Sequence, residues 1–121
     1  MKRINISNIP VQPSQDENNS LQEVMGLKAI IHYENFSIAK TILKPGAQVD
    51  RHFHQTSDEI YLIIAGSGTM QVDEESFQLG AGEVILISPG EKHKVLTDEN
   101  EKLEFLAITF PPYSPDDFIA C

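Results

Sequence analysis

The chain reads as an all-β protein, an antiparallel β-barrel or two-sheet jelly roll with at most short helical turns, and two observations carry that expectation. From about Lys28 onward, short runs with β-like apolar patterning are separated by Gly, Pro, Asn and Asp at close intervals. Almost no stretch shows the three-to-four-residue apolar period of an amphipathic helix. The 121 residues suffice for one such domain and leave too little apolar material for a second core.

Residues 1–27 are read as an N-terminal arm with a short helical turn, 28–112 as the barrel, and 113–121 as a C-terminal tail. The arm to residue 20 is rich in Asn, Gln, Ser and Pro and has no clear period. Ser20-Leu21-Gln22-Glu23 matches a capping box, which predicts one helical turn through Val24 and Met25 to Gly26. The expected strands are Lys28 to Tyr33, Phe36 to Leu43, Ile60 to Ala65, Thr69 to Val72, Phe77 to Leu79, Val84 to Ile87, Lys94 to Thr97 and Leu103 to Phe110. Pro45-Gly46 and Pro89-Gly90 have the Pro then Gly order of type II turns, and Asp73-Glu74-Glu75 and Gly80-Ala81-Gly82 mark further reversals. Gly66-Ser67-Gly68 is read as a hairpin turn, since it lacks the fuller glycine pattern and following helix of a phosphate loop. Past Pro111-Pro112 the strand texture ends, and Ser114-Pro115-Asp116-Asp117 suits a short helical turn or surface cap.

Eighteen acidic residues against nine basic ones give a formal charge of −9, which argues against a broad surface for nucleic-acid phosphates. No run approaches a membrane span, and Met1-Lys2-Arg3 is followed by polar residues instead of an apolar signal core. With a single cysteine, Cys121, no intramolecular disulfide can form, and the expected setting is the reducing cytoplasm.

The chemistry concentrates in four residues. His52 and His54 are two apart, so an extended strand turns both imidazoles to one face. Glu59 has the wrong parity for an unbroken strand, but the turn-prone Gln55-Thr56-Ser57-Asp58 can reverse the chain and return it to the same interior. Tyr61 and Ile63 then share its face. His93, beyond the Pro89-Gly90 turn, joins them if its strand folds back to lie opposite, as inward positions of a barrel converge. Each residue alone has an ordinary structural reading; three of the four histidines with one carboxylate make a metal-type set. The remaining histidine, His32, has no inferred role. Three imidazoles and a carboxylate suit one divalent transition metal per chain, Fe, Mn, Ni, Zn, Co or Cu, without choosing among them.

At these residues the chain resembles the cupin superfamily, specifically its small single-domain members. The first cupin motif, Gly, five residues, His-x-His, three or four residues, Glu, six residues, Gly, is met by Gly46, His52, His54, Glu59 and Gly66. The second is met by Gly82, Gly90 and His93, while Ser88 and Thr97 stand where the motif has Pro and Asn. The resemblance covers about residues 36–110. It implies a jelly roll with a metal inside one end, and a homodimer in which terminal strands add to the partner's sheet.

One barrel hosts many chemistries, so the site has to carry the function. The expected activity is that of a metal-dependent enzyme on a small oxygen-rich substrate, either dioxygenase-like or a Lewis-acid isomerase, cyclase or lyase. Tyr61 is the candidate proton shuttle by parity, with a core aromatic as its alternative role. The alternative function is a non-catalytic, metal-containing binding module for a small carbohydrate or acid.

Overall fold

A computed structural model describes residues 1–13 and 19–121. Part of the expected arm, residues 14–18, lies outside the described residues. The strands are β1 (Gln12–Pro13), β2 (Asn19–Gly26), β3 (Ile31–His32), β4 (Ser37–Leu43), β5 (Gln48–His54), β6 (Asp58–Val72), β7 (Glu75–Gly80), β8 (Val84–Ile87), β9 (His93–Leu96), β10 (Leu103–Phe110) and β11 (Phe118–Ala120). They form one curled, nearly all-antiparallel sheet in the order β1-β2-β4-β10-β6-β9-β5-β11, with β7 and β8 also on β6 and the short β3 parallel to β2. The only helical elements among the described residues are single 3-10 turns at Ile6–Asn8 and Pro115–Asp117, as an all-β reading requires.

β6 holds this architecture together. Its first half, Asp58 to Gly66, pairs with β10, and Glu59 to Leu62 also pair with β8. Its second half, Ser67 to Val72, pairs with β7, with β9 alongside Thr69 to Val72. The strand therefore changes neighbours at Gly66-Ser67-Gly68, where the sequence reading expects a hairpin. The reason is a close approach: a Cβ on Gly66 would stand 1.9 Å from the Lys102 carbonyl oxygen, and Gly66 has φ +84°. These glycines let one strand bend past the start of β10, so the expected strands Ile60 to Ala65 and Thr69 to Val72 are two halves of one strand.

Two other local expectations are corrected. The capping-box segment is strand β2, because the edge of β4 offers it a ladder from Asn19 to Met25, and Asn19, Gln22 and Val24 are buried. A capping box offers a few local hydrogen bonds; the ladder satisfies the backbone along the whole segment and buries side chains as well. The expected strand Lys28 to Tyr33 shrinks to Ile31–His32, since Leu27-Lys28 form the turn after β2. Gln22 also secures the arm, donating through Nε2 to the carbonyls of Ile6 (3.0 Å) and Ile9 (2.9 Å).

The core is aliphatic and aromatic, with Leu43, Ala47, Tyr61, Ile63, Met70, Leu79, Ile87, Val95, Leu103 and Phe105 in one buried cluster. The inward positions follow the period of two. On β6 they run Glu59, Tyr61, Ile63; on β10, Thr109 to Phe105 and Leu103; on β9, His93 then Val95. Each strand thus starts or ends on a polar residue at one end of the interior and continues into hydrocarbon.

Candidate metal centre

The polar end of the interior gathers His52, His54, Glu59 and His93. One ligand-type atom from each lies within 4.8 Å of the others, and all four residues are buried. The two histidines of β5 share a face as their spacing predicts. Glu59 enters from the first half of β6, after a bend at Gln55-Thr56, and the alternation Glu59, Tyr61, Ile63 on the inner face is as expected. His93 differs from expectation in its route: β9 is the neighbour of β5, and His93 is in direct register with His52, their rings 4.2 Å apart. Cross-strand adjacency, not convergence from an opposite wall, joins the two histidines, and the carboxylate comes from the other side of the curl.

Hydrogen bonds fix the tautomers. Nδ1 of His52 lies 2.8 Å from the Asp50 carbonyl, Nδ1 of His54 3.2 Å from the Asp117 carbonyl, and Nδ1 of His93 2.9 Å from the Glu91 carbonyl. A carbonyl only accepts, so in each ring Nδ1 donates, leaving the Nε2 lone pair of the neutral imidazole for the interior. His93 Nε2 stands 3.1 Å from Glu59 Oε1. His54 Nε2 is 3.5 Å from the same oxygen but makes no hydrogen bond there and is left buried without a partner. Lone pairs of imidazoles and a carboxylate facing one another repel unless a proton or cation lies between them. The donor set therefore fits a cation, and its nitrogen and oxygen chemistry fits a divalent transition metal.

The charges respond accordingly. Burial, aided by the neighbouring His93, lowers the His52 pKa to about 4. Burial alone would raise Glu59, but the imidazoles of His54 and His93 close to its oxygens outweigh it and hold the carboxyl at about 2. His54 moves up: burial opposes its charge, yet the Glu59 carboxylate and then Asp117 outweigh the burial. Tyr61 is pushed well above the ordinary phenol value by burial and by the Glu59 charge, so it stays protonated. Its ring packs edge-on to His93 at 6.1 Å and against Phe105 at 4.6 Å.

Three further residues touch the set and escape a reading by motif. Thr109, in register with Glu59 on β10, places its hydroxyl 3.4 Å from Glu59 Oε2. Phe118 of β11 stacks on His52 with centroids 4.2 Å apart and planes at 18°. Asp117 supplies the carbonyl that His54 faces. Only strand parity opposite Glu59 could have drawn attention to Thr109; no local signal marks the other two. His32 is exposed and faces Glu34, away from the site.

The two departures from the second motif have structural roles. Thr97 Oγ1 donates to the Lys44 carbonyl at 2.6 Å and accepts the Ala47 N–H at 2.9 Å, stapling the turn before β5 to the end of β9. Ser88 opens the Pro89-Gly90 turn, with its N–H on the Glu91 carboxylate at 2.7 Å. Gly90, at φ +85°, donates its N–H to the His54 carbonyl at 2.8 Å, tying the turn before His93 to the strand of His54.

Comparison with known proteins agrees with this fold. The cupin-domain family model matches residues 39–109, so the chain belongs to the cupin family. An uncharacterized protein of Methanocaldococcus jannaschii is 40% identical over 81 residues, which are 67% of this chain and 65% of that one. An oxalate-binding protein of Thermotoga maritima is 33% identical over 81 residues, 67% of each chain. The matched stretch thus spans about two thirds of the length of these relatives. Among solved structures, the polyketide cyclase RemF of Streptomyces resistomycificus superposes with a TM-score of 0.84 over 99% of this chain and 84% of its own, at 18% identity, a likeness of fold. No helix among the described residues is long and apolar enough to cross a membrane.

Proposed function

We propose that the protein is a metal-dependent enzyme that binds one divalent transition metal through His52, His54, Glu59 and His93 and acts on a small, oxygen-rich substrate. The observation that carries this reading is the buried, unpartnered His54 Nε2, turned with the other donors toward one point. When bound, the metal supplies Lewis acidity or a redox centre, which serve isomerase, cyclase or lyase chemistry and dioxygenase-like chemistry respectively. The single carboxylate offsets only part of a divalent charge, so an anionic oxygen on the substrate is favoured.

The chain's own groups prepare that chemistry. The three backbone carbonyls hold the imidazoles in the metal-binding tautomer, and burial keeps His52 neutral into mild acid. Phe118 and Tyr61 provide apolar walls that limit water. With its phenol pushed up, Tyr61 serves as a hydrogen-bond donor or as packing, and a general-base role at neutral pH is disfavoured.

The resemblance to the oxalate-binding protein supports the second reading, a metal-containing module that holds a small acid without turning it over. Metal-loaded protein incubated with enols, catechols, keto acids and oxalate, in air and without oxygen, separates these readings. Oxygen uptake supports the dioxygenase form, turnover without oxygen the Lewis-acid form, and tight binding with no turnover the module.

The proposal includes a homodimer and a cytoplasmic setting, the latter resting on cysteine usage alone. A second copy is suggested by the outward face of the sheet, where Leu86, Ile60, Ile108 and Ile38 form an aliphatic row across four strands. Val84 and Leu86 are 64% and 61% exposed there. Leu86→Lys should convert a dimer to monomers in sedimentation; an unchanged mass for this variant beside a dimeric parent would place the interface elsewhere.

A further inference from the structure

The segment after Pro112, which by sequence alone is a surface tail, reaches the metal centre at two consecutive residues. The 3-10 turn Pro115–Asp117 closes on Ser114, whose carbonyl accepts the Asp117 N–H at 3.0 Å. This turn presents both oxygens of the Asp117 side chain to the bend that joins the two ligand-bearing strands. Oδ1 accepts the N–H groups of Gln55 at 2.9 Å and Thr56 at 3.0 Å, and Oδ2 accepts that of Ser57 at 3.1 Å. The Asp117 carbonyl meanwhile faces His54 Nδ1 at 3.2 Å. One residue, about 60 positions away in sequence, therefore holds the ring of His54 and every N–H between His54 and Asp58.

That bend resolves the parity conflict between His54 and Glu59. An unbroken strand would send Glu59 outward, and the bend that corrects this leaves successive N–H groups with no strand partner. A carboxylate that accepts all three satisfies them at once, and its charge strengthens each bond. Ser57 adds a second tie to the C-terminal region, its hydroxyl donating to the Pro111 carbonyl at 3.1 Å. Beyond Asp117, β11 continues the attachment: Phe118 pairs with His54 and stacks on His52, and the Cys121 N–H reaches the Arg51 carbonyl at 3.1 Å.

We infer that Asp117 is a positioning residue of the metal centre, holding the 55–57 bend with its carboxylate and the His54 ring with its carbonyl so that His54 Nε2 and Glu59 Oε1 face the same point. The inference rests on the metal reading of the four residues, and it acts on His54 and Glu59, not on the substrate. Its chemical content is selective: without the carboxylate the 55–57 bend loses its three acceptors and the Asp117 backbone carbonyl, which every variant keeps, is no longer clamped against His54, whereas the carbonyls facing His52 and His93, those of Asp50 and Glu91, lie outside this clamp.

The test uses the full chain and Co(II) as probe, in competition with a chelator, for the parent, Asp117→Ala, Asp117→Asn and the neighbouring Asp116→Ala. Removing such an outer partner weakens metal binding by about 10- to 100-fold, which is the loss expected for Asp117→Ala. Asp117→Asn retains the Oδ1 acceptor and should recover part of it, while Asp116→Ala should match the parent. Imidazole nitrogen spectra of the metal-free proteins supply a readout independent of metal: His54 is expected as the Nδ1–H tautomer in the parent and, because the Asp117 carbonyl is still present in Asp117→Ala but no longer clamped to the bend, as a mixture in that variant, with His52 and His93 unchanged. Parent-like Co(II) affinity and an unchanged His54 tautomer in Asp117→Ala would overturn the inference, as would equal disturbance of all three histidines, the mark of a general loss of structure. If Asp117→Ala does not fold, Asp117→Asn carries the same comparison through the lost Ser57 bond. A parent that binds no Co(II) would instead sink the metal reading, and the tautomer spectra would still decide whether Asp117 holds His54.

Discussion

The two ends of the barrel interior are built on the same strands and to opposite purposes. At one end β5, β6, β9 and β10 point His52 and His54, Glu59, His93 and Thr109 inward; a few residues along, Ile63, Met70, Val95, Leu103 and Phe105 occupy the equivalent positions. The hydrocarbon end stabilises the fold through burial of these side chains. The polar end brings buried imidazole nitrogens and a carboxylate around one point, with the His54 Nε2 left without a partner. Stability and binding are thus separated along one axis, with Tyr61 at the boundary. Substitutions at the two ends should be separable in the same way.

The largest effect belongs to the bend that makes the axis possible. Gly66→Ala forces a Cβ to within 1.9 Å of the Lys102 carbonyl oxygen at a positive φ, and should lower stability by about 4 kcal/mol or more in urea unfolding. In the hydrocarbon end, Leu103→Ala should lose about 2–5 kcal/mol while the folded fraction binds metal as the parent does. If that variant lost metal affinity in proportion to stability, the separation of the two ends would be wrong.

Acid probes the polar end, and the sign follows from each group. His52 has its folded pKa lowered from 6.5 to about 4, so the unfolded chain takes up a proton that the folded protein refuses. Stability of the metal-free protein is therefore lost as pH falls from 6.5 to 4, by up to roughly 3 kcal/mol for this group alone. Glu59, lowered from 4.5 to about 2, extends the loss further into acid. His54 has the opposite sign: its folded value is raised, so its contribution is present below 6.5 and lost as pH rises through the folded value. Metal-free protein should be most stable near pH 6.5, and a plateau from pH 4 to 8 in thermal unfolding would contradict the assigned environments. The smallest effect is expected from Thr109→Val, which removes a long hydrogen bond to Glu59 Oε2 and should change stability by about 1 kcal/mol or less.

The sequence makes the polar end unusually readable. His-x-His parity, the corrective bend before Glu59 and the glycine-framed spacing all depend on local geometry, and local geometry is what a chain displays. Gly66 was harder, because a glycine that turns a hairpin and a glycine that bends a strand look alike until the Lys102 carbonyl is in view. The capping box at Ser20 failed for a related reason: its competitor was the edge of β4, which is not near it in sequence. Asp117 and Phe118 are illegible because their partners lie 60 or more residues away and no period links them. Local chemistry named the four candidate ligands, and only tertiary pairing revealed what holds them.

The central claim is that His52, His54, Glu59 and His93 form a single metal site, and metal stoichiometry tests it most directly. Elemental analysis of protein purified without added metal, then after loading and desalting, should find about one divalent transition metal per chain, and a folded His54→Ala variant should retain far less. Equal metal content in the parent and in both His54→Ala and His93→Ala would contradict the account.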